Sequence, residues 1–167
     1  MIHASPLHKI TLSGECQSIW IKRDDLTGFG LSGNKVRKLE FLLGEAQRRG
    51  GPFITTGATG SHHAYASAVH AERLGLAVEV VRFPQPMTEH VAEMAARLDA
   101  QPNVTVHPID HDWQYLPALL ARRRAHAPAR PMWTGPGGST PLGTLGYVAA
   151  GLELTDDLAA AGAEIDE

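Results

Sequence analysis

Apolar residues along this chain alternate between two spacings. Short apolar runs fall at 19–23 (IWIKR), 52–57 (PFITTG), 76–83 (LAVEVVRF), 103–109 (NVTVHPI) and 131–134 (PMWT), and each reads as a strand. Between them the spacing lengthens to that of a helix. Val36, Leu39, Leu42, Leu43 and Ala46 form one apolar stripe on a helix over 34–49, which Gly50 and Gly51 end. Ser61 can cap a helix running to Leu74. Thr88 opens another, with Val91, Met94, Ala95 and Leu98 on one face. Trp113, Leu116, Leu119 and Leu120 mark a fourth, and a last helix carries Leu142, Leu145, Val148, Ala149 and Leu152. Strand and helix in repeated alternation predict an α/β fold, a parallel sheet covered by helices.

Composition narrows the class. The 167 residues are 43% hydrophobic, which is globular and not disordered, and the formal net charge of −3 argues against a nucleic-acid binder. No apolar run approaches a membrane span, and the opening MIHASPLHKITLSGE has no apolar signal core. Cys16 is the only cysteine, so an intramolecular disulfide and a thiolate zinc cage are impossible, and a reducing cytoplasm is the natural reading. The basic stretch ARRRAHAPARP at 121–131 reads as a solvated helix end, its charge set against the negative pole of the helix dipole.

The chemistry lies in three loops that follow strands, at 24–34, 57–63 and 135–141, where ligands of α/β sheets gather. In the first, GFGLSGNKVRKLEF (28–41) packs Gly28, Gly30 and Gly33 just before a helix that opens with Lys35. The positive end of that helix disfavours a second positive charge, and Lys38 adds repulsion one turn on, so Lys35 is a candidate Schiff-base nucleophile. The plainer alternative is a basic helix face, with Lys35, Arg37 and Lys38 in water. A phosphate-binding P-loop is disfavoured: Asn34 stands before the lysine, Val36 follows it, and no hydroxyl is placed for magnesium. In the second loop, Ser61, His62 and His63 lie at a predicted helix N-terminus, where free N–H groups can hold a carboxylate or phosphate. A helix cap followed by partly exposed histidines is the alternative there. No zinc-ligand spacing is evident around His62, His63, His70 or the Asp-His-Asp at 110–112, and no metal is expected. The third loop, GPGGSTPLG, is either an anion nest or a tight connection.

Taken together, the three loops resemble the signature blocks of the aminocyclopropane-carboxylate deaminase and D-cysteine desulfhydrase family, pyridoxal-phosphate enzymes of the tryptophan synthase β-like fold (fold type II). IKRDDLTGFGLSGNKVRKLEF looks like the block around that family's Schiff-base lysine, GATGSHHAYASAVHAERLGL like its serine loop, and GPGGSTPLGTLGYVAAGLEL like the return to the larger domain. The resemblance implies pyridoxal 5'-phosphate as cofactor, a small amino acid as substrate, and lyase or deaminase chemistry. It implies catalytic roles for Lys35 and Ser61, cofactor contacts from Asn34, Lys35, Lys38 and His62, and substrate contacts from Ser61, His62 and His63. Two departures stand out: His62 replaces the family's asparagine, and Gly60 its glutamine.

The resemblance also implies an organisation. Residues 1–40 would belong to a larger domain, 41–132 would form a smaller α/β domain, and 133–167 would return to the larger one. Family members continue into a strand and a Gly/Ser/Thr-rich loop that cradles the cofactor phosphate. The expectation is therefore a fragment, one half of a split enzyme, or an inactive relative serving as a binding or regulatory module. A homodimer or a partner chain supplying the C-terminal half follows from the same comparison. So do weak cofactor binding, no turnover by these residues alone, and uncovered Leu142, Leu145 and Leu152.

Overall fold

The computed structural model describes residues 4–11, 18–27 and 33–163. The chain opens with an antiparallel pair, β1 (Leu7–Thr11) and β2 (Ser18–Lys22), and runs into α1 (Lys35–Arg49). There follow β3 (Phe53–Ala58), α2 (His62–Glu72), β4 (Val78–Phe83), α3 (Glu89–Asp99), β5 (Val104–Pro108), α4 (Tyr115–Ala125), β6 (Met132–Trp133) and α5 (Pro141–Ala160). Strands β3 to β6 form one sheet in the order β5-β4-β3-β6, every pair parallel. The alternation read from the sequence thus produces the expected parallel α/β sheet for β3 to β6; β2, its first strand, lies instead in the antiparallel pair with β1. β1 had no counterpart in the sequence reading, because Leu7–Thr11 carries no apolar alternation and four of its five residues are exposed.

Side chains on a strand alternate between faces. One face of β3 and β4 presents Phe53, Thr55, Val78 and Val80 to α1, α2 and α3. There Leu39, Leu42, Leu43, Ala46, Ala64, Ala68, Ala71 and Leu98 complete the main core. The other face is covered by α4 through Leu119, which is fully buried. Trp113 and Leu116, read with Leu119 as marking this helix, are exposed, Trp113 by 73%, and Trp113 lies ahead of α4. The end of α4 is tied to the sheet by polar groups: His126 Nε2 bonds Glu79 Oε1, and His107 Nε2 lies 3.4 Å from Glu79 Oε2.

Local signals match the sequence at most boundaries. Gly50 closes α1 in the left-handed region, its N–H donating to Ala46 O at 3.0 Å. Ser61, Thr88 and Thr140 each cap a helix by accepting from a first-turn N–H: Ala64 at 3.2 Å, Val91 at 3.3 Å and Gly143 at 3.0 Å.

A second region joins β1, β2, α1 and α5. Gly146 of α5 lies against α1 so closely that a Cβ there would stand 2.1 Å from Arg37 O. Beside this crossing Arg37 is only 4% exposed. Its guanidinium donates to both carboxylate oxygens of Asp24 (2.8 and 2.6 Å), to Glu153 Oε2 (2.8 Å) and to Ser5 Oγ (2.9 Å). Lys22 Nζ joins the same cluster at Glu153 (2.6 Å), Asp157 and the Ser5 carbonyl (2.6 Å). The solvated basic face considered for α1 does not hold at Arg37. Leu145 and Leu152 on α5 are exposed, as expected, but Leu142 corrects its expectation: it is partly buried against the main core. Among the described residues no helix is long and apolar enough to cross a membrane.

Candidate active site at the C-terminal ends of β3 and β6

Three segments meet where β3 and β6 end. The first is the start of α1. Asn34 is its exposed N-cap residue, makes no side-chain capping bond, and is followed by the half-buried Lys35. Gly33 adopts a φ of +51°, while Gly28 and Gly30 lie outside the described residues. The second is the turn from β3 into α2, carrying Ser61, His62 and His63. The third is the turn after β6, residues 135–141.

Contacts bind these segments together. Lys38 Nζ, one turn along α1 from Lys35, donates to Ser139 Oγ at 3.0 Å and Gly137 O at 3.3 Å, and lies 5.5 Å from the Tyr147 ring centre. Gly138, at φ +64°, presses against His63 and Leu42. A Cβ there would approach His63 Cε1 and Leu42 Cδ1 to 2.9 Å, so both the backbone angle and the space require glycine. Lys35 is near enough to His62 and His63 for its charge to oppose their protonation.

The two adjacent histidines are differently placed. His63 is 4% exposed, with Nε2 3.1 Å from Thr55 Oγ1 on the sheet and a buried Nδ1 without a partner. Burial, with the charges of Lys38 and Lys35, pushes its pKa down to about 4, so it is neutral at neutral pH. His62 is half-buried. Its Nε2 lies 3.1 Å from Nε2 of His90 on α3, and burial, Lys35 and His90 lower its pKa. Ser61 Oγ accepts the Ala64 N–H, which leaves its own proton available to donate.

The segments therefore bring Lys35, Lys38, Ser61, His62 and His63 into one neighbourhood, with Asn34 at its edge. The sequence reading did not single out Thr55 or His90. Neither sits in a loop or motif, and only the sheet register and the approach of α3 to α2 give them a place. Among the described residues no group of three or more His, Cys, Asp or Glu is arranged to hold a metal ion. The donor set is two ammonium groups, the N-terminus of α2 and a Gly-Gly turn in left-handed conformation. It fits a small organic phosphate that also offers an amine-reactive group.

Residues 2–166 match the family described as pyridoxal-phosphate dependent enzyme. The chain belongs to that family. The D-cysteine desulfhydrase of Serratia proteamaculans is 37% identical over 163 residues, 92% of this chain and 49% of that protein. The mitochondrial bifunctional D-cysteine desulfhydrase/1-aminocyclopropane-1-carboxylate deaminase of Arabidopsis thaliana is 33% identical over 166 residues, 92% of this chain and 41% of that protein. A solved structure described as an ACC deaminase homologue superposes with a TM-score of 0.65 at 33% identity, covering 83% of this chain and 43% of its own. The fold is the tryptophan synthase β-like fold of the family. The chain spans less than half the length of these relatives.

Proposed function

We propose that this chain carries the lysine-bearing part of a pyridoxal-phosphate site in a lyase or deaminase acting on a small amino acid, of the D-cysteine desulfhydrase or aminocyclopropane-carboxylate deaminase type. The observation that carries the reading is the meeting of Lys35, the Ser61–His63 turn and the 135–141 turn at one end of the parallel sheet. Family membership and the relatives' names support the cofactor and the substrate class.

Pyridoxal phosphate, when bound, supplies an aldehyde for amine capture and a ring that takes up the electron pair of a bond broken at the substrate α-carbon. Lys35 is the amine that would hold it. When not so engaged, Lys35 Nζ can accept and return a proton. Lys38 is already anchored to the 137–139 turn and places a fixed positive charge there, suited to a phosphate. Asn34 stands beside Lys35 as a further hydrogen-bonding group. Ser61 and the first-turn N–H groups of α2 suit a substrate carboxylate, with the serine hydroxyl free to donate. His62 takes the place of an amide donor near the ring. His63 braces the turn: its Nε2 is held by Thr55, and its neutral ring fills the space beneath Gly138. In this organisation residues 41–132 correspond to a smaller domain and the flanks to a larger one. The expected division at 40/41 falls within the continuous helix α1.

The test is reduction with borohydride after mixing the chain with pyridoxal phosphate, followed by peptide mapping. Labelling concentrated on Lys35, and lost in Lys35→Ala, is the expected result. Labelling scattered over exposed lysines at equal extent overturns the assignment.

A further inference from the structure

The His62 side chain is held from another helix. His90 lies 28 residues on in the sequence, in the first turn of α3, and its Nε2 stands 3.1 Å from Nε2 of His62. The rings stack with centroids 5.3 Å apart and 27° between planes. The Thr88 cap starts α3 at this point, so His90 sits on an ordered helical turn. Two imidazole nitrogens at this separation make a hydrogen bond only when one carries a proton and the other does not. If His62 Nε2 accepts, the proton of its neutral ring is on Nδ1. If Nε2 donates, Nδ1 is a lone pair. What His62 can offer to a ligand is thereby coupled to the tautomer of its partner ring. The charged groups facing the pair are Lys35 on α1, which opposes a proton on His62, and Glu93, one turn along α3, which is itself engaged by Arg97 at 2.7 Å.

We propose that His90 is a positioning residue for the Lys35 site, holding the His62 imidazole in place and tying its tautomer to that of His90 through the Nε2–Nε2 hydrogen bond. This rests on the reading of His62 as part of the cofactor surroundings. Without the bond, a half-buried side chain in the first turn of α2 has several rotamers and both tautomers open to it. With it, orientation is set and the two tautomers are tied to one another. In this way α3, which bears none of the candidate site residues read from the sequence, contributes to the site.

The test uses the 167-residue chain. His62 is titrated by NMR through its Cε1–H signal, with side-chain 15N shifts reporting the tautomer, in wild type, His90→Phe and His90→Gln. The wild-type His62 ring is expected to show an Nε2 15N shift displaced by the hydrogen bond and a titration lower than in His90→Phe. His90→Phe keeps a ring for stacking but offers no nitrogen; it should lose that displacement and raise the His62 curve. His90→Gln, whose amide can still pair with His62, should keep the displacement. Identical His62 curves and tautomer ratios in wild type and His90→Phe overturn the proposal. The second readout is the pH dependence of the visible absorbance after adding pyridoxal phosphate. It should shift alike in His62→Asn and His90→Phe and return toward wild type in His90→Gln. A shift in His62→Asn with none in His90→Phe overturns the proposal while the reading of His62 stands. No shift in either variant, with the Nε2 displacement intact, removes His62 from the cofactor surroundings; the proposal falls with it, and the pair is a structural contact only.

Discussion

Helix α1 is buried on two sides by different physics. Toward the sheet, Leu39, Leu42, Leu43 and Ala46 enter an apolar core with Phe53, Val78, Val80 and Leu98. Toward β1, β2 and α5, Arg37 enters a cluster of charges completed by Ser5, Lys22, Asp24, Glu153 and Asp157. The apolar side gains roughly in proportion to area removed from water, whatever the partners' identity. The charged side gains only if every member is present, since a buried ion that loses its counterion is costly. The first kind of burial degrades gradually with substitution, and the second fails when one member is removed.

The largest expected effect tests the apolar side. Phe53 is fully buried at the centre of the sheet, and Phe53→Ala should destabilise the fold by about 4 kcal/mol, read by denaturant unfolding. Protection of β3 and β4 amides should fall with global stability.

Next, Arg37→Met leaves Asp24 and Glu153 partly buried without their shared cation. The expected loss is about 3 kcal/mol, felt first as faster amide exchange in α5 and the β1–β2 pair, with the central sheet still protected. Equal loss of protection in both regions would show that the two sides of α1 unfold as one unit.

Acid separates the regions further. His63, in the sheet region, has a folded pKa of about 4 against an ordinary 6.5, so the unfolded chain binds more protons between those values. Its contribution is therefore complete above pH 6.5 and is lost as pH falls toward 4, on the order of 3 kcal/mol in total. In the charged region, the Arg37 guanidinium holds the Asp24 carboxyl below its usual 3.8, so that contribution persists through this window and is lost only at lower pH. Stability measured from pH 7 to 4 should fall less steeply in His63→Leu than in wild type. An unchanged slope would remove His63 from the acid response.

The smallest expected effect is local. Ser61→Ala removes the α2 cap and should cost about 1 kcal/mol, read by thermal or denaturant unfolding. Under the proposed function the same substitution also removes the hydroxyl that meets the substrate. Under that reading, turnover should fall by more than this stability loss explains.

Much of the site was legible in the sequence because its parts are local. Gly33 before Lys35, the Ser61 cap and the 135–141 turn are local features whose residue types serve their own backbone. Arg37 and His90 were not legible. Arg37 looks like any basic residue of an amphipathic helix until Glu153, 116 residues away, is brought beside it. His90 looks like an ordinary first-turn residue, and it stays exposed, until α3 laid next to α2 brings its ring to His62.

By itself the sequence determined the order of strands and helices from β2 onward, the parallel pairing of β3 to β6 and the Ser61 and Thr88 caps, because periodicity and capping act over a few residues. It also determined that Lys35 would stand in the first turn of a helix. Only the tertiary structure decided which charged residues leave water and how two neighbouring histidines part company. His63 turned inward to a neutral, buried role under Gly138, and His62 outward to a partner on another helix. The physical reason is that burial and pairing are properties of the surroundings. Those surroundings are supplied by segments whose distance along the chain leaves no mark in local pattern.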